Sequence, residues 1–464
     1  MISLSFRPGG RIHSCWLGDV VVELGADWTP VNNESHPLFK ITTSEKPPWP
    51  GVPGAPHPRG LFNRVEAGKL ESYPMYTAYY KYKQIETEAN EMYRLGGNKQ
   101  HGSLMDFISL RIQQELNDFS ERQRHDAARI IFGLLQMRKT RSVYDTAMLS
   151  VDYEGSFMNA SGGQARVALG LAGILEPLMR QIPLGCIRYC KPVECVCWGT
   201  AQSSGYRATV HTCDGDVFPA DYVISTFPLG VLHRDAEKLF CPNLPAAKTN
   251  AFRCLCVNHY NKVFAEFGRP YWFWTKSMLR FCFTPNDLSH RSDWTRGVTS
   301  IQPVANSQHV VCAWVAGSGA AALEAASDAE VIEGIAEVLR SAACDPCLPF
   351  PNRILRSQWT TLPYFGGAYS WDESQSSGML QCELGLPLPG PGEPVPPILL
   401  FAGEATAPGY YGTVSGARLS GVREAERVLQ LTEYFQGPPV PALGITDVTT
   451  CCVADAAPQK AVAS

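Results

Sequence analysis

Long apolar runs are missing from this sequence. No stretch reaches about 18 apolar residues, the length that a membrane-spanning helix requires, so we expect no membrane partner. The net charge is only −4 and the pI is about 6.2, which argues against a nucleic-acid-binding surface. The segment Met1–Phe6 is too short for a secretory signal, and the C-terminal Ala461–Ser464 is not a peroxisomal S-K-L signal. We therefore expect a cytoplasmic location, with a peroxisomal one left open.

Metal-binding spacing is also missing, although the chain contains 16 cysteines. Cys344 and Cys347 form a C-x-x-C, but no second pair or histidine lies at zinc-like spacing, so we predict no structural metal. Cys195 and Cys197 are two residues apart on a predicted strand, which directs both side chains to one face. The expected state is that of buried thiols in a reducing compartment.

The 464 residues suffice for two interlocked domains. A hairpin is predicted around Gly18-Asp19, helices between residues 76 and 148, and a further helix over 167–180. Strands are predicted over 190–226, with 217–226 as one hairpin strand, and over 250–315, followed by a helix over 329–343. Proline-rich loops are predicted over 44–60 and 384–397. One apolar helical stripe is predicted from Leu104, Phe107, Ile108, Leu110, Ile112 and Leu116, and another from Ile130, Ile131, Leu134 and Leu135.

The segment from Leu399 to Ala417 carries the most information. An apolar strand enters a Gly403-Glu404 turn, and an amphipathic helix begins near Ser415. The apolar positions Val422, Ala425, Val428 and Leu429 recur at helical spacing, and Arg423, Glu424, Glu426 and Arg427 occupy the other face. Amide groups at the start of such a helix suit a ligand that gains negative charge. On pattern alone, this is one more strand–helix unit of an α/β domain.

The string FAGEATAPGYYGTVSGARLSGVREAERVL resembles the C-terminal flavin-binding motif of the flavin-dependent amine oxidases, and specifically their polyamine oxidase branch. The resemblance extends from Arg7 to Leu431. Its other motifs are the segments 7–14, 23–28, 191–194, 221–232, 261–267 and 359–371. The string around Gly9, Gly10 and Arg11 is weak by itself, because a tight turn with a solvated arginine would read the same way.

The resemblance implies a set of FAD contacts at residues Gly9, Gly10, Arg11, Gly25, Ala26, Asp27, Trp28, Val193, Trp359, Gly403, Glu404, Thr413 and Val414. It also implies that Lys262 hydrogen-bonds a water beside flavin N5, where its positive charge would assist reoxidation. Tyr369 and Thr413 would form the two walls of a cage around the amine. Ala368 stands where monoamine oxidases carry the cysteine that bonds to the flavin, so the FAD is expected to be non-covalent.

The sequence departs from the family at its start. There is no G-x-G-x-x-G after an N-terminal strand, and only nine residues precede Gly10. The segment 170–173 is not expected to replace this motif, because it lies in a helical run with no strand before it. Either the sequence begins too late or it is a truncated isoform, and the chain as written is expected to bind FAD poorly. At Trp28-Thr29-Pro30 the W-I-H-G of polyamine oxidases is also replaced.

We thus expect an α/β fold with a Rossmann-like, N-terminally truncated FAD-binding domain and an inserted α+β substrate domain of mixed sheet and helices. The FAD-binding domain is predicted over 1–43, 156–245 and 352–435, the substrate domain over 44–155 and 246–351, and a disordered tail over 436–464. The implied reaction is FAD-dependent oxidation of a polyamine or acetylpolyamine at a secondary amine, with dioxygen reduced to hydrogen peroxide. The alternatives are oxidation of another amine, such as a methylated lysine or a monoamine, and a catalytically silent interaction protein.

Overall fold

The computed structural model describes residues 1–3, 7–27, 29–30, 52–53, 61–64, 68–69, 72–96, 104–138, 164–167, 170–199, 205–269, 278–282, 294–343, 345–372, 378–390 and 395–434. The strands of this part of the chain are β1 (Ser14–Leu17), β2 (Val20–Glu23), β3 (Thr29–Pro30), β4 (Val52–Pro53), β5 (Leu61–Arg64), β6 (Gly68–Lys69), β7 (Gln164–Arg166), β8 (Val193–Trp198), β9 (Ala208–Thr212), β10 (Val217–Ala220), β11 (Val223–Ser225), β12 (Phe240–Cys241), β13 (Leu255–Asn258), β14 (Tyr260–Glu266), β15 (Leu279–Phe281), β16 (Val298–Pro303), β17 (Val310–Ala316), β18 (Arg353–Arg356), β19 (Tyr369–Asp372) and β20 (Leu399–Phe401).

The helices are α1 (Ser72–Gly96), α2 (Leu104–Leu116), α3 (Glu121–Arg138), α4 (Glu176–Arg180), α5 (Leu229–Leu239), α6 (Ala246–Cys254), α7 (Ser318–Ala325), α8 (Asp328–Ala343), α9 (Met379–Gly385) and α10 (Val414–Tyr434). Short 3₁₀ turns lie at Leu171–Leu175, Trp294–Gly297 and Glu404–Thr406. No helix within the described ranges combines the length and the apolar character needed to cross a bilayer.

The largest sheet has the strand order β18–β14–β17–β16–β15–β5–β6. Its two faces differ in chemistry. One face is apolar and packs under α7 and α8, through residues that include Val263, Ala265, Val311, Ala313, Val315, Val331 and Ile335. The other face carries Lys262 on β14 and Trp314 on β17, which are direct partners across the two strands. The period of two in a strand separates a purely structural face from one that carries polar groups.

Helices α1, α2 and α3 form a separate apolar cluster with Trp371 and Tyr411. All four residues of the stripe predicted in α3 are buried: Ile130, Ile131, Leu134 and Leu135. In α2 the prediction was wrong for Leu110, which is 56% exposed, whereas Ile108 is fully buried. Leu110 lies two positions from Ile108, and residues two positions apart on an α-helix point to nearly opposite sides of it.

Two smaller sheets lie on the side of the predicted FAD-binding domain. One has the order β10–β9–β8–β12, and the other pairs β11 in parallel with β20. The segment 217–226 is therefore not one hairpin strand, because β10 pairs with β9 while β11 joins β20. The expected thiol pair on β8 is present, with 3.8 Å between the sulfurs of Cys195 and Cys197. The division of the chain into the two predicted domains stays a prediction, and the predicted tail lies outside the described residues.

Helix α10 buries the face opposite to the one that its sequence suggested. Its buried residues are Ser415, Gly416, Ser420 and Glu424, whereas Val422 is 40% exposed and Leu429 is 63% exposed. Glu424 is fully buried and pairs with two guanidinium groups, those of Arg423 at 2.5 Å and Arg427 at 2.9 Å. Charge pairing offsets the cost of burying this carboxylate. Apolar periodicity alone therefore gave the wrong buried face for this helix.

A second correction concerns the segment 170–173. Strand β7 does precede Gly170, and the residues after it begin with a 3₁₀ turn at Leu171–Leu175, followed by α4, rather than with a helix from residue 167. The first amide groups of this turn already have protein acceptors. Leu171 N–H donates to the Glu23 carboxylate, and Ala172 N–H donates to Ser14 Oγ at 3.1 Å. These two amide groups are therefore already bound to side chains of the protein.

Candidate active site

The carboxylate of Glu404 links Arg11, near the start of the chain, to the C-terminal segments around Ser370 and Gly412. This carboxylate accepts hydrogen bonds from Arg11 Nη1 at 2.9 Å, Ser370 N at 3.0 Å, Ser370 Oγ at 2.5 Å and Gly412 N at 2.6 Å. Glu404 is only 5% exposed, whereas the Arg11 side chain is 24% exposed, so the carboxylate of this ion pair is buried and the guanidinium group is partly in contact with solvent. The predicted contacts Arg11 and Glu404 therefore meet, although they are 393 positions apart in the chain.

The glycine turn before Arg11 is held by a residue that the motif analysis gave no role. Arg7 donates from Nη1 to Ile12 O at 2.6 Å and from Nη2 to Gly10 O at 2.9 Å. Gly9 and Gly10 both have positive φ, at 96° and 55°, which only glycine adopts without strain. Arg7 thus fixes the turn from inside and leaves Arg11 to point toward Glu404.

The segment 23–27 runs against this turn at very short range. Ala26 N–H donates to Arg11 O at 3.2 Å, and a Cβ added at Gly25 would meet that same oxygen at 1.8 Å. The indole of Trp359 donates to Leu24 O at 3.0 Å, which explains why the two motifs lie together. Glycine is required at position 25 because the backbone of residue 11 occupies the space of a side chain. Trp28 lies outside the described residues.

Lys262 is 1% exposed, so it is not a surface lysine with its head in water. Its Nζ donates to Glu23 O at 3.0 Å and Gly25 O at 2.7 Å, and it lies 3.2 Å from an Asp27 carboxylate oxygen. An ammonium group has three N–H donors, and these three acceptors match them. The structure therefore holds Lys262 against the predicted flavin-contacting segment and supplies it with a buried counter-ion.

Tyr369 and the loop before α10 are in close contact. A Cβ added at Gly412 would meet Tyr369 Cδ2 at 2.9 Å, so the tyrosine ring lies directly on this glycine. Thr413 follows, but its hydroxyl has a structural role. Thr413 Oγ1 donates to Tyr410 O at 2.6 Å and accepts from Gly416 N–H at 3.0 Å, which is the arrangement of a helix N-cap. The first turn that begins at Val414 is thus capped from within the protein.

Burial changes two pKa values beside this site. Desolvation raises the pKa of Glu23 to about 7, against the opposing effects of its bonds from Leu171 N–H and Ser14. Desolvation, followed by the nearby Arg7 charge, lowers the pKa of His13 to about 4. His13 is therefore uncharged at neutral pH, whereas Glu23 titrates close to neutral pH.

Val193 begins β8, as the sequence indicated. The N-terminal residues run beside the approach to this strand, since Ser3 N–H donates to Arg188 O at 2.7 Å and Lys191 N–H donates to Ser3 O at 3.0 Å. The chain start that leads to the glycine turn and the start of β8 therefore belong to one region. The predicted contact between Val193 and FAD stays a prediction.

Several residues at this place suit the phosphate end of a dinucleotide cofactor, although the sequence lacks the glycine-rich unit expected to hold its pyrophosphate. Gly10 and Gly403 have positive φ, and a Cβ added at either would meet no atom within 4 Å, so both leave room for a ligand against the backbone. Arg11 uses only Nη1 for its bonds to Glu404 and Ala368 O, which leaves further guanidinium donors for phosphate oxygens. The cavity between Arg11, the end of β11 and residues 401–406 has a volume of about 10 Å³, which is room for about one water molecule and not for a dinucleotide. Within the described ranges, no group of three or more potential metal ligands occurs.

The paired parallel strands that end in a glycine turn, with an arginine and a buried lysine beside it, are the elements that the resemblance assigns to a flavin-dependent oxidoreductase. Comparison with known proteins makes this specific. Residues 5–429 match the family described as "Flavin containing amine oxidoreductase", and the chain belongs to this family. It is an FAD-dependent amine oxidase, which acts on an amine and dioxygen.

The peroxisomal N(1)-acetyl-spermine/spermidine oxidase of Homo sapiens is 29% identical over 480 residues, which cover 96% of this chain and 92% of that protein. Polyamine oxidase 1 of Oryza sativa subsp. japonica is 33% identical over 347 residues, covering 66% of this chain and 64% of that protein. The solved structure of a putrescine oxidase double mutant covers 92% of this chain and 93% of its own, with a TM-score of 0.65 and 16% identity. This last likeness concerns the fold alone.

Proposed function

We propose that this enzyme oxidises polyamines or acetylpolyamines at a secondary amine and gives an aldehyde, a shorter amine and hydrogen peroxide. The observation that carries the proposal is the buried Lys262, held by the segment 23–27, which in turn lies against the backbone of Arg11. The similarity to proteins named as acetyl-spermine/spermidine oxidases supports this class of substrate.

When bound, FAD would supply the two-electron acceptor for the amine, with dioxygen as the final acceptor. Arg11 would bind the phosphates, and Glu404 fixes the direction of Arg11. Lys262 acts through its charge, because its three N–H donors are already bound to protein acceptors. Tyr369 orients the amine from the side of Gly412. The apolar cluster on which Tyr369 packs, which contains Leu24, Phe264 and Trp359, excludes water.

Ala368 offers no nucleophile to the cofactor, so the flavin is expected to be non-covalent. Heat or acid precipitation of the loaded protein should release all visible flavin absorbance into the supernatant. Flavin that stays with the precipitated chain would contradict this expectation.

The test of the proposal is turnover by the FAD-loaded chain with N1-acetylspermine, spermine and a monoamine. We expect hydrogen peroxide and aldehyde in equal amounts from the polyamines, and little from the monoamine. The reacting amine must be neutral, while an alkylammonium group has a pKa of about 10, so the rate should rise from about pH 6 to about pH 9. A flat profile over this range, or turnover of the monoamine alone, would exclude the proposed reaction.

A further inference from the structure

Two polar side chains lie beside the proposed site without hydrogen-bond partners. Asn258 is the direct cross-strand partner of Tyr369, and Trp314 is the direct partner of Lys262. The ring of Trp314 is 5.1 Å from Lys262 Nζ and 5.3 Å from the ring of Tyr260. Both Trp314 and Tyr369 pack on the apolar cluster that contains Leu24, Phe264 and Trp359. Asn258 and Trp314 thus lie opposite two of the three residues to which the resemblance assigns catalysis, Tyr369 and Lys262.

Asn258 is 0% exposed, yet neither its amide oxygen nor its amide nitrogen has a hydrogen-bond partner. The buried indole nitrogen of Trp314 has none either. Nearly all buried polar groups in proteins are hydrogen-bonded, because an unsatisfied one costs folding free energy. For Asn258 this conclusion does not depend on which amide atom is oxygen, since both lack a partner. Such a cost is tolerated where a ligand supplies the missing partner.

The chemistry of these groups distinguishes between ligands. An indole N–H can only donate a hydrogen bond, and an ammonium group can also only donate. The terminal amine of a free polyamine is a protonated ammonium group at neutral pH and cannot satisfy Trp314, whereas the carbonyl oxygen of an N-acyl group at that position does. The amide of Asn258 can donate and accept, so it can receive an amine N–H of the same molecule.

We infer that Asn258 and Trp314 are specificity-determining residues, which hydrogen-bond the polar groups of the substrate and favour an N-acylated amine over its unacylated parent. This inference rests on the proposed function and extends it to the choice between two kinds of polyamine. Trp314 recognises the acyl carbonyl, and Asn258 holds an amine nitrogen opposite Tyr369. A site that hydrogen-bonds a substrate group discriminates strongly against the analogue that lacks it.

The variants Trp314→Phe and Asn258→Leu remove the two groups and keep much of the shape. Trp16→Phe serves as the matched control, because Trp16 is 69% exposed on β1. The FAD-loaded full chain is titrated by calorimetry with N-acetyl-1,3-diaminopropane and with 1,3-diaminopropane, neither of which contains a secondary amine. The ratio of kcat/KM for N1-acetylspermine to that for spermine is measured in parallel.

We expect Trp314→Phe to reduce the preference for the acetylated compound by about ten- to a hundredfold in both measurements. Asn258→Leu should weaken binding of both diamines about tenfold, without lowering the melting temperature, because it removes an unsatisfied buried group. The control should change neither quantity.

An unchanged preference in Trp314→Phe would overturn the inference while leaving the proposed function intact. So would a lower melting temperature with unchanged binding in Asn258→Leu, which would assign this residue a structural role. Loss of visible flavin absorbance from purified Trp314→Phe would assign its N–H to the cofactor and would also overturn it. If the unmodified protein oxidises neither polyamine, the proposed function and this inference fall together.

Discussion

Lys248 and Lys262 are each 1% exposed, and each ammonium group has three acceptors, but the acceptors differ. Lys248 donates to Glu383 O at 2.8 Å, Leu384 O at 3.0 Å and Leu386 O at 2.7 Å, all at the C-terminal end of α9. Lys262 has two carbonyl oxygens and the carboxylate of Asp27. Lys248 neutralises the negative end of a helix, whereas Lys262 forms an ion pair beside the glycine turn. Burial of a lysine therefore does not by itself indicate catalysis, and the identity of the acceptors must decide.

The largest expected effect separates the two lysines by activity. Lys262→Met, combined with Asp27→Asn so that no carboxylate stays buried and unpaired, should lower oxygen uptake at saturating amine by about a hundredfold or more, the usual effect of removing one electrostatic contact to a reacting group. Oxygen consumption per mole of bound flavin is the measurement. Lys248→Met, assayed per mole of folded protein, is the matched control and should keep the rate of the unmodified enzyme. Equal losses in both variants would remove the functional distinction between the two lysines.

The loss of Lys248 should appear in the stability of the protein instead of in its activity. Lys248→Met leaves three buried carbonyl groups without donors, and a missing partner costs about 1–3 kcal/mol per group, so we expect a loss of about 3 kcal/mol or more. Urea unfolding followed by circular dichroism measures this free energy. A loss below about 1 kcal/mol would mean that water replaces the ammonium group and that the C-terminal end of α9 is less dry than the structure shows.

The two regions should also depend on pH with opposite signs. Burial raises the pKa of Glu23, next to Lys262, from 4.5 to about 7, so the folded state holds a proton that the unfolded state has lost. The free energy of unfolding should thus fall by about 3 kcal/mol as the pH rises from 4.5 to about 7. Burial lowers the pKa of Lys248 from 10.5 to about 8, so the free energy of unfolding should rise by a similar amount between about pH 8 and pH 10.5.

Urea unfolding at a series of pH values tests both slopes in one experiment. Glu23→Gln should abolish the slope on the acid side and leave the alkaline one, and Lys248→Met should do the reverse. If either variant removed both slopes, the two groups would be coupled, and the comparison of separate regions would have to be abandoned.

The two lysines also show how far the sequence could be read. Lys262 and Glu404 were singled out through the resemblance of their segments to the flavin-dependent amine oxidases, because local pattern alone favoured an ordinary surface lysine and an ordinary strand–helix unit. Lys248 has no such signal, since its acceptors are about 135 positions away and its own helix reads as an ordinary surface helix. The same holds for Arg7, whose bonds to the glycine turn depend on the path of the backbone.

Helix α10 shows a second limit. Its strand–turn–helix arrangement was predictable from local pattern, but its buried face was not. The burial of Glu424 depends on its pairing with Arg423 and Arg427, and a hydrophobicity pattern contains no term for such pairs. The unpartnered Asn258 could not be predicted either, because its environment is formed by strands more than a hundred residues apart.

Thr413 offers the smallest and most discriminating test, because it was predicted as a cage wall and is found as a helix cap. Thr413→Ala should cost about 1 kcal/mol of unfolding free energy through loss of the bond from Gly416 N–H. Thr413→Ser keeps the capping oxygen and should keep most of this stability while it loses only the methyl group. If Thr413 also faces the amine, as the resemblance implies, the serine variant should raise KM at nearly unchanged stability. A serine variant with an unchanged KM and an alanine variant with a lower melting temperature would assign Thr413, like Lys248, to the framework alone.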